Sequence, residues 1–122
     1  MSVDTPTFTK VIGPTGGIDA VVATWGPMAN GDTGSPLKRP DLVDRSLQVT
    51  GTFGAGGSVA VEGSNDGVNF YALSNPQGTT IAVTAAGIVQ IEEATVYVRP
   101  HVTAGDGTTS LTCTMCARRT LR

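Results

Sequence analysis

Charged residues are scarce in this chain of 122 residues: Asp, Glu, Lys and Arg together make up 15% of it, and the net charge is -2. Ordinary soluble domains carry about 25%. A chain with this balance lacks the positive field that attracts nucleic acid or an anionic membrane surface. We therefore expect neither nucleic acid nor membrane among its partners.

Long apolar runs are also missing, since none approaches the roughly 18 residues needed to span a bilayer. The chain begins MSVDTPTFTK, with an acid and several threonines where a signal peptide has a positive segment followed by an apolar one. These features predict a protein that is synthesised in, and not exported from, the cytoplasm.

The sequence contains no recognisable arrangement of catalytic residues. His101 is the only histidine, it follows a proline, and no GxSxG or other nucleophile motif accompanies it. Glu92 and Glu93 are adjacent, so in a strand they point to opposite faces. The sequence thus predicts that the chain is not an enzyme and needs no cofactor.

The two cysteines, Cys113 and Cys116, form a CxxC motif in a strand-like run. Residues three apart in a strand point to opposite faces and lie about 10 Å apart, whereas a disulfide needs Cα atoms within about 7 Å. A zinc site would need two further ligands, and only His101 is offered. We expect one core thiol, one outward thiol and no metal.

Glycine, with 16 residues, and threonine are plentiful, and from Arg45 onward apolar residues alternate with polar ones in short runs separated by glycine-rich turns. Alternation is typical of sheets with one buried and one wet face. The strand-like runs are RSLQVTGTF, SVAVEGS, VNFYALS, TTIAVTA, TVYVRPHVT and TSLTCTMCARR. They predict an all-β, antiparallel β-sandwich of jelly-roll or related topology, with a partly closed barrel as the alternative.

The same alternation predicts the core and the turns. The inward residues are Leu47, Val49, Phe53, Val59, Val61, Ile81, Val83, Val96, Val98, Val102, Leu111, Cys113, Met115 and Ala117. Asn65-Asp66-Gly67 and Gly105-Asp106-Gly107 are typical of hairpin loops. The segment Thr84 to Ala94 fits a strand with a bulge at Gly87 better than a short helix, because glycine would break the helix.

The first part of the chain is irregular, since five of the seven prolines fall within residues 1–40. We predict an extended N-terminal arm, residues 1–17, followed by the sandwich domain, residues 18–122. That domain would begin with a strand from Ile18 to Trp25 and include a long Pro-rich loop, residues 27–44. Loops of this length are often functional.

Two groups of side chains are candidates for binding. Trp25, Phe70, Tyr71 and Tyr97 could form an aromatic contact patch or pack within the fold. Arg118, Arg119 and Arg122 give the last strand a basic end, which is either solvated or paired with an acidic partner.

Most of the chain, from Ala23 to Arg119, resembles small virion proteins of tailed bacteriophages that decorate or cement the capsid. The passages VEGSNDGVNFY and VRPHVTAGDGTTSL carry the resemblance. It implies a β-sandwich, often a jelly roll, that binds outside an assembled shell of major capsid protein and clamps neighbouring subunits. It also implies a location on the outer capsid surface of the virion, after synthesis in the host cytoplasm, and no catalytic residues.

This resemblance gives the exposed basic and apolar residues an expected role. The expected capsid-binding residues are Pro27, Met28, Leu37, Lys38, Arg39, Arg118 and Arg119. We also expect a homodimer, with a trimer as the alternative, joined through the outward face of Tyr97, Arg99 and His101 or through an exposed edge strand. The alternative function is a carbohydrate- or receptor-binding module of a phage tail or neck.

Overall fold

The computed structural model describes residues 3–4, 7–12 and 18–119. Within these ranges the chain forms eleven β-strands and no helix, which confirms the all-β prediction. The strands are β1 (Val3–Asp4), β2 (Thr7–Ile12), β3 (Ile18–Met28), β4 (Thr33–Gly34), β5 (Leu37–Lys38), β6 (Asp44–Thr52), β7 (Ser58–Ser64), β8 (Tyr71–Ala72), β9 (Gly87–Ile91), β10 (Tyr97–Ala104) and β11 (Ser110–Arg118).

The strands form two sheets. Sheet A has the order β1-β4-β10-β7-β8, with β5 also paired to β10, and sheet B has the order β2-β3-β11-β6-β9. The pairings are antiparallel apart from the short parallel contact between β1 and β4. From β3 to β11 the chain passes repeatedly from one sheet to the other, so strands that are neighbours in sequence are seldom paired with each other.

One apolar core contains residues from both sheets. Along β6, β7, β10 and β11 every second residue is buried, as expected for strands with one face against a core. This arrangement is sandwich-like. Most of the predicted core residues are in it; Phe53 and Val83 are partly buried and pack against it, whereas Val96 is outside it because it precedes β10.

Residues 27–44, predicted as one long loop, contain the end of β3 together with β4 and β5. Met28, Leu37 and Leu42 from this segment are buried in the core. Pairing in two-residue strands leaves no periodic signal in the sequence, which is why alternation did not indicate them.

Part of the predicted arm also pairs. β2 lies antiparallel to β3, with Thr7 opposite Thr24 and Lys10 opposite Val21. The remaining arm residues, 1–2, 5–6 and 13–17, are outside the described residues.

The prediction of a hairpin at Gly105-Asp106-Gly107 is wrong, because β10 belongs to sheet A and β11 to sheet B. The turn is instead an arch between sheets. Gly54 to Gly57 is a second arch, from β6 to β7, and Asp106 joins the two by accepting a hydrogen bond from the Ala55 amide at 2.9 Å. Asn65-Asp66-Gly67, by contrast, connects β7 to β8, which are paired neighbours.

The prediction for Thr84 to Ala94 is confirmed in its main point, since residues 87–91 form β9. The prediction of one core thiol and one outward thiol is also confirmed. Neither Cys113 nor Cys116 is in a disulfide; the first is buried and the second partly exposed, because they lie on opposite faces of β11.

Candidate functional site

The predicted capsid-binding residues separate into two groups. Met28 lies in the core, so its side chain is not available to a partner in this fold, which corrects that part of the expectation. Leu37 is also buried, but it lines a groove described below. The sequence prediction ends the first strand at Trp25 and has no strand at residues 37–38, whereas β3 continues to Met28 and β5 contains Leu37. Pro27, at the end of β3, is exposed.

The remaining four, Lys38, Arg39, Arg118 and Arg119, come together at one end of the molecule, which we call the basic end. β5 supplies Lys38, while β11 carries Arg118 beside the start of β6, where it pairs with Asp44 at 3.0 Å. Four basic side chains here face two carboxylates, those of Asp41 and Asp44. The basic end therefore has a net positive charge although the whole chain is negative.

The geometry of the basic end fixes one of its carboxylates. Arg39 makes a two-pronged ion pair with Asp41, with nitrogen-oxygen distances of 3.1 and 2.9 Å. This hydrogen bonding by Arg39 lowers the pKa of Asp41 to about 2, and Arg119 contributes through its charge. Asp41 therefore stays ionised under ordinary conditions and partly neutralises Arg39, as Asp44 partly neutralises Arg118.

An apolar groove adjoins the basic end. Phe8, Val21 and Leu37 line it together with Lys38 and Arg39, and its volume is about 240 Å³. Phe8 is 50% exposed although it is a large apolar side chain. Such a groove with a cationic rim suits an apolar anchor followed by acidic groups on a protein partner.

The predicted oligomer interface is an ionic network on the outer face of sheet A. Arg99 of β10 lies opposite Glu62 of β7 and donates to its carboxylate at 2.9 Å, and His101 Nδ1 donates to the other oxygen at 2.9 Å. Phe70 covers the Arg99 guanidinium at 3.9 Å from the ring centre. Tyr97, at the end of this network, lies beneath the Lys38 ammonium at 5.6 Å.

Burial within this network raises the pKa of Glu62, but the hydrogen bonds from His101 and Arg99 outweigh burial, so the net pKa is lowered. Arg99 and His101 are thus already hydrogen-bonded to Glu62 within the subunit. The face is half-buried by its own side chains, which makes it less suited to an interface than the sequence indicated.

A polar cleft was not predicted at all. Its volume is about 420 Å³, and it lies where β7 ends, between the loop that leads to β8 and the segment before β10. The lining residues are Gly63, Ser64, Asn65, Asp66, Asn69, Tyr71, Leu73, Glu93 and Thr95. Its two sides are distant in sequence, and the only signals available were the SNDG turn and the aromatic candidate Tyr71.

An open sheet edge is the last feature. β9 pairs with β6 on one side, and no other described strand pairs with its far side. Ile88 of β9 is 69% exposed. The strand contains neither lysine nor proline, the residues that usually protect such edges.

Of the other predicted aromatic candidates, Trp25 is buried in the core, where its indole N–H donates to the Ser35 carbonyl at 2.9 Å. Within residues 3–4, 7–12 and 18–119 no group of three or more His, Cys, Asp or Glu side chains could hold a metal ion. The same part of the chain contains no helix long and apolar enough to cross a membrane.

Comparison with known proteins adds no assignment, since no protein-family model and no curated protein matches the chain.

Proposed function

We propose that this protein is a structural virion protein of a tailed bacteriophage, which binds the outside of an assembled capsid and stabilises it by clamping neighbouring major capsid protein subunits. The observation that carries the proposal is the basic end, where the fold brings Lys38 and Arg39 next to Arg118 and Arg119 beside an apolar groove. The proposed location is the outer capsid surface, and the proposal involves no catalysis, cofactor, nucleic acid or membrane.

Strand order supports a jelly-roll sandwich as the architecture. Setting aside the edge strands β1 and β2 and the short β5, eight strands remain, in the orders β3-β11-β6-β9 and β4-β10-β7-β8. Apart from the hairpin of β7 and β8, consecutive strands of this set alternate between the two sheets. This is the double Greek-key arrangement of jelly rolls, which are frequent in viral capsid and lectin domains.

The basic end is better explained by a partner than by folding. Exposed ion pairs such as that of Arg118 with Asp44 contribute only about 0–1 kcal/mol to stability. Phe8 contributes little more while half of it faces water. Cationic residues around an apolar anchor do favour encounter with, and attachment to, an acidic protein surface. A capsid shell that presents such an acidic surface on each of its repeated subunits would bind many copies of this protein.

Co-sedimentation with empty capsid shells tests the proposal. We expect the double variant R118E/R119E to bind roughly tenfold or more weakly, because two attractive charges become repulsive, and we expect wild-type binding to weaken with salt. Phe8→Ala should also weaken binding. The matched control is T50E/T103E, which adds negative charge at exposed positions near the opposite ends of β6 and β10.

Two negative results of the co-sedimentation experiment have different meanings. Wild-type protein that does not sediment with shells would refute capsid binding. Binding that R118E/R119E and the control reduce equally would mean that the basic end is not the contact surface. Copy number distinguishes the alternative tail or neck module, since a decoration protein is abundant in purified virions and a tail component is present in few copies.

We further propose that the protein acts as a homodimer, with a trimer as the alternative. The open edge of β9 is favoured as the interface over Tyr97, Arg99 and His101, because Arg99 and His101 are already hydrogen-bonded to Glu62. A symmetric clamp suits a site between two equivalent capsid subunits.

A further inference from the structure

The polar cleft beside β7 and β8 is separate from the basic end and takes no part in the proposed capsid contact. We propose that it binds a neutral saccharide, of one or two sugar rings, stacked on Tyr71. The proposal does not depend on the capsid function, because it concerns different residues.

The cleft is held in one shape by its own hydrogen bonds. The Asp66 carboxylate accepts from the amides of Val68 and Asn69, each at 2.8 Å, from the Asn69 side-chain nitrogen at 2.9 Å and from the Ser64 hydroxyl at 2.8 Å. These bonds, led by the Asn69 amide, lower the pKa of Asp66 well below its usual range. The loop is thus pre-ordered, so a ligand would not have to order it.

Two further lining side chains are fixed by hydrogen bonds: Glu93, from the segment before β10, and Asn65, from the loop itself. Glu93 Oε1 accepts from the Ser74 amide at 2.7 Å, and Asn65 Oδ1 accepts from the Val96 amide at 3.1 Å. The Ser74 hydroxyl and the Glu93 amide also hold the Glu93 carboxylate, whereas the Asn65 side-chain N–H groups, Asn69 Oδ1 and the Tyr71 hydroxyl make no hydrogen bond to any other described residue. Fixed donors and acceptors in one cleft match adjacent sugar hydroxyls, each of which can both donate and accept.

Tyr71 supplies an apolar platform at the rim. Tyr71 is 72% exposed. It lies opposite Gly63 of β7, which has no side chain to cover the aromatic ring. A larger residue could not replace Gly63, because its Cβ would lie 2.6 Å from Thr95 Oγ1 and 2.8 Å from a Leu73 methyl. An aromatic ring beside polar groups offers an apolar face and a polar tip together, which suits a pyranose with its C–H face and its hydroxyls.

Charge and size narrow the ligand class. The ionisable acids lining the cleft are Asp66 and Glu93, and none of the lining residues is basic, so phosphate, nucleic acid and acidic sugars are disfavoured. At about 420 Å³ the cleft is near the small end of ligand sites, which range over roughly 300–1,000 Å³. One or two neutral rings fit, and a long peptide does not.

Amide chemical shifts of the full chain in solution provide the test. The probes are glucose, galactose, mannose, N-acetylglucosamine, lactose and chitobiose, titrated singly. We expect at least one to shift the amides of residues 63–73 and 93–96 with millimolar affinity. Tyr71→Ala should weaken binding roughly tenfold, whereas Tyr71→Phe keeps the ring and should stay within about threefold of wild type.

Two further variants make the result specific. Glu93→Gln keeps an oxygen that can accept from the Ser74 amide and replaces the other carboxylate oxygen with a donor, so it should weaken sugar binding several-fold while the amide spectrum stays that of the folded protein. Ile88→Ala, an exposed apolar residue on β9 outside the cleft, should bind as wild type. The proposal is overturned if no probe shifts the cleft amides, if Tyr71→Ala binds equally well, or if these amides respond to peptides of the capsid protein but to no sugar.

Discussion

Arg45 is the buried charge on which the start of β6 depends. It is 1% exposed, and its guanidinium donates to the carbonyls of Leu42 at 2.9 Å and Arg39 at 3.0 Å, with a longer contact to Thr95 Oγ1 at 3.5 Å. The side chain thereby ties β6 to the turn that precedes it and to the segment before β10.

We predict that Arg45→Met lowers the free energy of unfolding by about 2–3 kcal/mol, because it leaves two buried carbonyls without donors. Urea denaturation measures the change. Arg118→Met, at an exposed position, is the matched control and should stay within about 0.5 kcal/mol of wild type. Equal stability of Arg45→Met and wild type would show that apolar packing replaces the hydrogen bonds fully.

Sequence alternation places Arg45 in the same inward register as Leu47 and Val49, yet the core prediction began at Leu47. A charged residue is rarely buried without compensation. The compensating carbonyls belong to the turn between β5 and β6, whose position no local pattern reveals. The predicted core therefore begins at Leu47 and omits Arg45, the inward residue that precedes it on the same strand.

Gly34 explains how a proline fits into β10. A Cβ at residue 34 would lie 2.7 Å from Pro100 Cδ and 2.8 Å from two atoms of the Trp25 ring. The proline ring thus faces β4, at a position where no side chain can be accommodated between it and the indole. Neither Gly34 nor Pro100 alone predicts this contact, because 66 positions separate them in the sequence.

Gly34→Ala should destabilise the fold by about 1–3 kcal/mol through overpacking against Trp25 and Pro100. The control is Gly107→Ala, since a Cβ there would meet no atom within 4 Å; it should change stability by less than about 0.5 kcal/mol. Thermal unfolding of both proteins decides the matter, and equal melting temperatures would contradict the packing argument.

At the scale of elements, long strands were predictable and short ones were not. β6, β7, β10 and β11 each give several alternations, which is enough to define both the strand and its inward face. β4 and β5 have two residues each, and only their partners on β10 make them strands. Hence the segment 27–44 appeared irregular.

The two arches form a single unit. The Asp106 carboxylate accepts from the Thr108 hydroxyl at 2.6 Å, the Thr108 amide at 2.8 Å and the Ala55 amide at 2.9 Å. Thr109 adds a bond from its hydroxyl to the Phe53 carbonyl at 2.8 Å. Led by the Thr108 hydroxyl, these contacts lower the pKa of Asp106 to about 2, against an ordinary value of 3.8.

A lowered pKa in the folded state gives the sign of the pH dependence. The arch contacts stabilise the fold above pH 3.8, and that contribution is lost as the pH falls through about 2. At pH 5 we expect Asp106→Ala to speed hydrogen exchange of the Ala55 amide by roughly tenfold and to lower the melting temperature. Gln77→Ala, in a different exposed turn, should change neither.

Two results would contradict the stabilising role of Asp106. If acid titration from pH 5 to about pH 2 lowers the melting temperature of Asp106→Ala as much as that of wild type, the arch carboxylate contributes nothing measurable to the acid sensitivity. Unchanged exchange at Ala55 would mean that the arches are held together without Asp106.

At the scale of the whole molecule, the surfaces were the hardest part to predict. The arginines at the end of the last strand were recognised as a basic end, but their meeting with Lys38 and Arg39 depends on β5 pairing with β10 and β11 pairing with β6. The cleft likewise needs β7, β8 and the residues before β10 together. Alternation reveals which face a residue takes but not which strands become neighbours.

The final prediction concerns assembly through β9. No strand within residues 3–4, 7–12 and 18–119 pairs with the far edge of β9, where Ile88 is 69% exposed. The sheet would continue across a two-fold axis if two β9 edges paired. We expect a dimer by light scattering at micromolar concentration, and a monomer for Ile88→Lys, because a charge at an edge strand opposes pairing. Val68→Lys, at a residue 78% exposed but outside β9, is the matched control and should remain dimeric. A map of decorated particles completes the test: subunits that are monomeric in solution and also sit singly and apart on the shell would contradict the dimer, and three-fold clusters would favour the trimer.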